Sequence, residues 1–269
     1  MTEESYSSRN PPPSNRDLLI LLGMFVTFVV GVIWIVGLLV NGLIGLIPPE
    51  VEQKLGSVIV PTFEKQAKSS PTQDTLNQLL DRLEQQLPPE QLANRNYRVL
   101  YVPESTVNAL AVPGDAVIIY QGLLAKMESE NELMMVLGHE LGHFANRDHL
   151  RGLGRTLVLR MAIAYFVGDS GGLQAAIVNA AQVVGSARFS QSQETEADEF
   201  GLALLHGTYG QVAGATDFFA KLAKEKGQNL AILSTHPAPK SRVKKLKRAI
   251  EKRNYKVGEK TPLPSNLEV

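Results

Sequence analysis

Two histidines four residues apart, with a glutamate beside the first, carry the most specific chemistry in this 269-residue chain: His139-Glu140-Leu141-Gly142-His143. On a helix, residues four apart stack on one face, so both imidazoles can ligate a single zinc ion. Glu140 is rotated by about 100° from His139. It can therefore reach a water beside the metal and act as general base. The surrounding residues favour a helix over a chance match. Glu130 to Ala145 reads as a helix that Ser129 and Glu132 open as a capping box. Leu133, Val136, Leu137, Leu141 and Phe144 give it an apolar face. Gly138 and Gly142 each cost about 1 kcal/mol against Ala in a helix. They make sense where another backbone or a substrate must come close.

Two histidines do not hold a catalytic zinc, and two residues could supply the third ligand. The first is His149. The run from His139 to His149 has the spacing HExxHxxGxxH, with Asn146 in place of the glycine. Asn tolerates the left-handed backbone such a turn needs. A metzincin of this kind also needs a downstream methionine turn, and the only later methionine, Met161, lies in an apolar run. The second is Glu194, in Gln193-Glu194-Thr195-Glu196-Ala197-Asp198, on a helix predicted to open at Ser190 or Ser192 and close at Gly207. Glu194 and Asp198 share a face. Glu194 could bind the metal while Asp198 hydrogen-bonds a liganding histidine and fixes its tautomer. Glu196 points to nearly the opposite side and reads as a solvated acid.

HExxH followed some fifty residues later by ExxxD resembles the gluzincin family of HtpX- and BepA-like membrane metallopeptidases. That family also includes the CAAX prenyl protease and the mitochondrial inner-membrane quality-control peptidase. Three further segments match: Asn108-Ala-Leu-Ala-Val-Pro113-Gly114, Arg147-Asp148 after His143, and His236-Pro237-Ala-Pro-Lys-Ser-Arg242. The resemblance spans about Leu76 to Ile250. It implies a zincin-like fold, one zinc per chain, and Glu194 rather than His149 as third ligand. It also implies Asn108 and Ala109 on a substrate-binding edge strand. His236 and Arg242 would lie near the metal, where they could steady a tetrahedral oxyanion, or His236 could cap the zinc at rest. The implied substrates are unfolded or damaged proteins at a membrane.

The N-terminal part reads as an anchor. Leu18 to Ile47 is 30 residues without a formal charge, ending at Pro48-Pro49. As a helix it would span about 45 Å, more than a ~30 Å hydrocarbon core requires. It lacks the short apolar stretch and small-residue cleavage site of a signal peptide. Arg9 and Arg16 before it, against Lys54, Lys65 and Lys68 after it, tilt the positive-inside rule toward a cytoplasmic N-terminus. The catalytic domain would then be extracytoplasmic, in the periplasm or its equivalent.

The sequence thus predicts an α+β, mostly α, fold: a zincin-like domain with a small sheet beside the HExxH helix, after one transmembrane helix. Expected segments are a disordered tail (1–17), an anchor (18–47), a stalk (48–70), a peptidase domain (71–254) and a flexible tail (255–269). Pro71 to Leu87 is an amphipathic helix, and Tyr97–Val102, Val107–Val112 and Ala116–Tyr120 are strands whose exposed edge could pair with an extended peptide. Met161 to Ala187, apolar but broken by glycines, suggests buried helices or a lid. With 27 basic and 27 acidic residues the net charge is zero, which argues against a nucleic-acid partner. The basic residues crowding Lys240 to Arg253 read as a solvated helix face, or as a contact for anionic headgroups. With no cysteine, disulfides and thiolate metal sites are excluded. The expected partners are protein or peptide substrates and a lipid bilayer. Two other readings compete: a membrane-tethered chaperone-like or binding protein with a latent zinc site, and the metzincin-type protease using His149.

Overall fold

A helix with no polar stripe has no solvated face to turn away from a core. The uncharged run after Asp17 folds as such a helix, α1 (Asn15–Ile44), in a computed structural model that describes residues 14–154, 185–225 and 230–267. Its apolar side chains are exposed, Leu19 at 69% and Trp34 at 67%. Among the described residues it is the one helix long and apolar enough to cross a membrane, with mean hydropathy 2.8. The chain divides into two units, Met1–Leu43 and Ile44–Val269.

In the second unit, α2 (Pro49–Glu64) occupies the stretch expected as a stalk. It is packed instead. Glu52, Gly56, Ile59, Val60 and Phe63 recur at helical spacing and are buried. Ile59, Val60 and Phe63 cover one face of a three-stranded sheet, where they meet Leu100, Val102, Leu110, Val112 and Ile118. The strands are β1 (Arg98–Val102), β2 (Ala109–Val112) and β3 (Ala116–Tyr120), in the order β1-β3-β2. β1 runs parallel to β3, and β2 antiparallel to it. Strand side chains alternate between faces, so Val99, Tyr101, Ala109, Ala111, Val117 and Ile119 point into the other core layer. That layer holds α3 (Pro71–Glu84), whose Leu76, Leu79, Leu80 and Leu83 are buried as the leucine spacing requires. The side-chain amides of Asn77 and Gln73 bond the backbone of Val99 and Tyr101, closing the outer edge of β1. Among the described residues, the edge of β2 away from β3 has no strand partner.

Short helices α4 (Pro89–Leu92) and α5 (Gln121–Leu124) flank the sheet. The HExxH segment forms α6 (Glu130–Ala145), opened by Ser129, whose hydroxyl accepts from Glu132 N at 3.3 Å. Glu132 does not complete the capping box: its carboxylate turns to Glu128 N and to Lys221. Next in the chain are α7 (Gln191–Tyr209), α8 (Asp217–Lys224), α9 (Ala231–Thr235) and α10 (Pro239–Lys252). Ser190 and Gln193 cap α7 reciprocally. The helix runs past Gly207 to stop at the left-handed Gly210, because Gly207 is a packing site against Gln86 and leaves the helix unbroken.

α6 and α7 cross at backbone contact. A Cβ on Gly142 would lie 2.8 Å from Ala197 Cα, and one on Gly201 would lie 2.8 Å from His139 N. The glycines of the motif helix are thus explained by a second backbone.

The tail expected to be loose is ordered across the start of α6. Thr261 accepts from Glu130 N and donates to Asn131 Oδ1, and Leu267 is fully buried. Its polar composition hid these backbone bonds and the single apolar anchor. Residues 1–13 and most of the Met161–Ala187 stretch lie outside the described residues.

Gly201→Ala should therefore destabilise the fold by about 1–3 kcal/mol, the usual cost of overpacking. Urea melts check this, and a midpoint equal to wild type would refute the close crossing.

Candidate active site

The crossing of α6 and α7 sets the site. His139 and His143 lie one turn apart on α6, and Glu194 sits in the first turn of α7. His236 arrives on the loop that ends α9. The four donor groups all lie within 4.8 Å of one another and are buried. His139 Nε2 is 3.1 Å from His143 Nε2 and 3.3 Å from His236 Nδ1. Glu194 Oε1 is 3.0 Å from His236 Nδ1 and 3.5 Å from His143 Nε2. Zinc bonds of about 2.0–2.1 Å in a tetrahedron separate neighbouring donors by about 3.3 Å. The cluster has that spacing.

Each α6 histidine is oriented from behind, which leaves its Nε2 for the cluster. Asp198 Oδ1 lies 3.0 Å from His139 Nδ1, and Asp148 Oδ2 lies 3.0 Å from His143 Nδ1. Asp148 is held in turn by Gln193 at 2.7 Å and by Arg151 at 3.2 Å. Such carboxylate partners fix the tautomer and ring plane of a metal-binding histidine. Phe189 stacks on His143 with ring centroids 3.9 Å apart.

Arg242, on the first turns of α10, reaches the same cluster. Its guanidinium donates to Asp198 at 2.9 and 2.6 Å, pairs with Glu194 Oε2 at 2.7 Å, and lies 4.0 Å over the Phe219 ring. These contacts place the guanidinium against both carboxylates of α7, and its Nη2 also lies 3.2 Å from His139 Nδ1. Left-handed Ala238, at φ 60°, starts the helix that carries it.

The electrostatics reflect the burial. Desolvation pushes the Glu194 and Asp198 carboxyls up, but His236, Arg242 and His143 hold Glu194 well below the usual range, and Arg242 does the same for Asp198. Burial and the Arg242 charge depress His139. Burial also opposes charge on His143, yet Asp148 and Glu194 lift it to about 9.

Glu140 is buried beside the cluster, its Oε1 3.9 Å from His236 Nε2. Glu140 Oε2 and His236 Nε2 have no hydrogen-bond partner among the described residues. A buried polar atom left unpaired is costly, so both atoms sit where a third species would satisfy them. Asn108 immediately precedes β2, which Ala109 begins, and its Oδ1 accepts from Thr235 Oγ1 beside His236 at 3.4 Å. Tyr120 N donates to Asn108 O at 3.3 Å. Alternation along the ladder then directs the backbone groups of Ala109 and Ala111 away from β3, toward the outer edge of β2. Both residues are buried in this structure.

His149 is not part of the cluster. Its Nε2 meets Glu52 at 2.7 Å and its Nδ1 the carbonyl of His143 at 3.3 Å. A left-handed Arg147, at φ 55°, turns the chain so that Asp148 faces the site and His149 faces α2. Glu196 is exposed. Asp148, Gln193 and Phe189 are contributors that the helical pattern did not single out. Asp148 lies five residues after His143, beyond the helix end, and no face rule reaches it; Phe189 comes from a distant loop.

Asp148→Asn should weaken metal affinity about 10–100-fold with little loss of fold, as expected for a partner of a metal-binding histidine. Chelator competition measures this, and unchanged affinity would mean that Asp148 does not orient His143.

Comparison with known proteins finds metalloproteases. The metalloprotease LoiP of Escherichia coli is 34% identical over 157 residues, 56% of this chain and 61% of its own. The mitochondrial metalloendopeptidase OMA1 of Arabidopsis thaliana is 33% identical over 159 residues, 57% of this chain and 32% of its own. A beta-barrel assembly-enhancing protease of Yersinia pestis is 29% identical over 159 residues, 53% of this chain and 32% of its own. The chain thus spans less than two thirds of the length of each. The model of peptidase family M48 matches residues 72–250, from α3 to α10 and through every residue of the cluster, and the chain belongs to that family.

Proposed function

We propose that this protein is a membrane-anchored, zinc-dependent endopeptidase. One observation carries the reading: four buried donors, His139, His143, Glu194 and His236, converge at zinc-like spacing with both α6 histidines oriented by carboxylates. His139, His143 and Glu194 would hold the ion. When bound, zinc supplies a Lewis acid and lowers the pKa of water to about 7. Glu140 accepts a proton from the attacking water and returns it to the departing amine. An extended peptide pairs with the Ala109 and Ala111 backbone at the β2 edge, which aligns its scissile bond.

His236 fits a resting role better than an oxyanion role. Its Nδ1 lies among the ligand atoms and bonds Glu194, so it occupies the position a fourth ligand would take. Arg242 keeps Glu194 and Asp198 charged and placed.

α1 serves as the membrane anchor, with the remaining unit as an extracytoplasmic peptidase domain. The substrates are unfolded or damaged proteins at the membrane, in keeping with relatives that are named as mitochondrial and beta-barrel assembly-enhancing proteases. A chaperone-like binding protein would not need Glu140.

Purified protein should carry one zinc per chain and degrade casein, and chelation should stop turnover. Glu140→Gln should retain zinc and lose about 10²–10⁴-fold in kcat, the usual value of a general base. Casein degradation at the wild-type rate in that variant would refute Glu140 as the base, and no degradation by zinc-loaded wild type would leave the binding-protein reading standing.

His236→Ala should raise basal proteolysis if the imidazole caps the metal. A fall in kcat of about 10²–10³-fold, the cost of an oxyanion donor, would assign the opposite role.

A further inference from the structure

The loop after α6 has three separate duties. Arg147 donates from Nη1 to Ile44 O at 2.9 Å and to Ile47 O at 2.5 Å, the carbonyls where the apolar helix ends and the chain turns into α2. Asp148 holds His143 Nδ1. His149 bridges the His143 carbonyl and Glu52 of α2. One short loop therefore touches residues 44–47, a residue of the metal cluster and α2.

Its anchor on the α2 side is rigid. Glu52 is fully buried and receives Arg95 through both oxygens, at 2.7 and 2.9 Å. Arg95 continues to Asp115 at 2.7 Å, and Asp115 accepts from Gln53 at 2.5 Å and from Asn96 N at 3.0 Å. Asp115 sits at φ 60° in the β2–β3 turn. The network thus ties α2 both to the hairpin that carries the β2 edge and to the loop behind His143. None of these residues reaches the cluster of donors, so a direct role in chemistry is excluded. Buried ion pairs give little net stability but fix relative placement when fully satisfied. Arg147 adds a second indication. A non-glycine residue at positive φ costs of order 1 kcal/mol, so its conformation must be held by its contacts, and its side chain bonds two carbonyls at the end of the apolar segment.

We propose that Glu52, Arg147 and His149 are positioning residues for His143, so that the membrane-proximal segment 44–52 sets the geometry of the metal site. This rests on the zinc peptidase reading. Asp148 orients the His143 ring, and the residues on either side of Asp148 are pinned to segment 44–52. A shift of that segment moves Asp148, and with it the direction of His143 Nε2. A membrane metallopeptidase built this way couples its ligand geometry to the segment that leads into α2.

The test uses the full chain in detergent micelles, with Co²⁺ as the probe. Wild type, Glu52→Gln, His149→Gln, Arg147→Gly and Arg147→Lys are compared with Leu267→Ala. Leu267 is fully buried in the C-terminal turn, outside this network, and serves as a control for lost stability. Gly at 147 keeps the positive φ and removes the donor; Lys restores a donor. Each of the first three variants should weaken Co²⁺ binding about 10-fold or more, as loss of a residue that orients a ligand does, and alter the visible absorption of the bound ion. At saturating metal they should lower kcat with KM unchanged. Arg147→Lys should recover much of the affinity. Should Glu52→Gln fail to fold, Arg147→Gly alone decides, since Arg147 is only partly buried. The proposal is overturned if these variants melt earlier, as Leu267→Ala does, while Co²⁺ affinity and spectrum match wild type. Wild-type protein that binds no Co²⁺ would instead remove the zinc peptidase reading itself.

Discussion

Every part of the site depends on how closely two helices can approach. Gly138 and Gly142 on α6 face Gly201 and Ala197 on α7, with no side chain larger than a methyl between the backbones. At this separation, donors on short side chains from both helices meet at one point. An ordinary interaxial distance of about 8–10 Å, filled by leucines, would keep Glu194 from the two histidines. The glycines weaken each helix locally, and the contact they permit more than offsets that by burying a shared face. The sheet and α3 hold α6 from the other side, and the C-terminal segment ties down its first turn through Thr261.

Close approach also concentrates charge. Glu194 and Asp198 on α7 would repel each other in a dry interior, and burying either alone would be costly. Arg242 resolves this by spanning both, with its flat face on Phe219. The carboxylates remain charged, and the two Nδ1 atoms on α6 each have a fixed carboxylate partner. Side chains whose ring planes are fixed by such partners lose little freedom on binding an ion, which lowers its cost.

The loop after α6 shows how a sequence spacing can carry two meanings. HExxHxxNxxH offers His149 as a ligand by distance along the chain. The left-handed Arg147 redirects the backbone, so Asp148 takes the place behind His143 and His149 turns toward Glu52. The same residue type thus joins the donor cluster at 143 and forms a structural bridge at 149. The difference is which acceptors its two nitrogens meet.

Local pattern determined much of this protein. The i,i+4 histidines, the serine caps, the leucine stripe of Pro71–Glu84, the three strands and the uncharged N-terminal helix all arise from periodicity and from backbone preferences acting over a few residues. The motif set, taken with family resemblance, pointed to Glu194 over His149. The tertiary structure decided matters that depend on residues far apart in sequence. It packed Pro49–Glu64 against the sheet and the tail against α6, because a buried stripe or a single apolar anchor finds its partner only in three dimensions. It set Arg242 across two carboxylates, Glu194 and Asp198, that lie one turn apart on α7. It also brought Asp148, Gln193 and Phe189 to His143 from a turn, a cap and a distant loop. No helical or strand period predicts such meetings, because periodicity encodes which face a residue occupies, and the packing of whole elements fixes what that face touches.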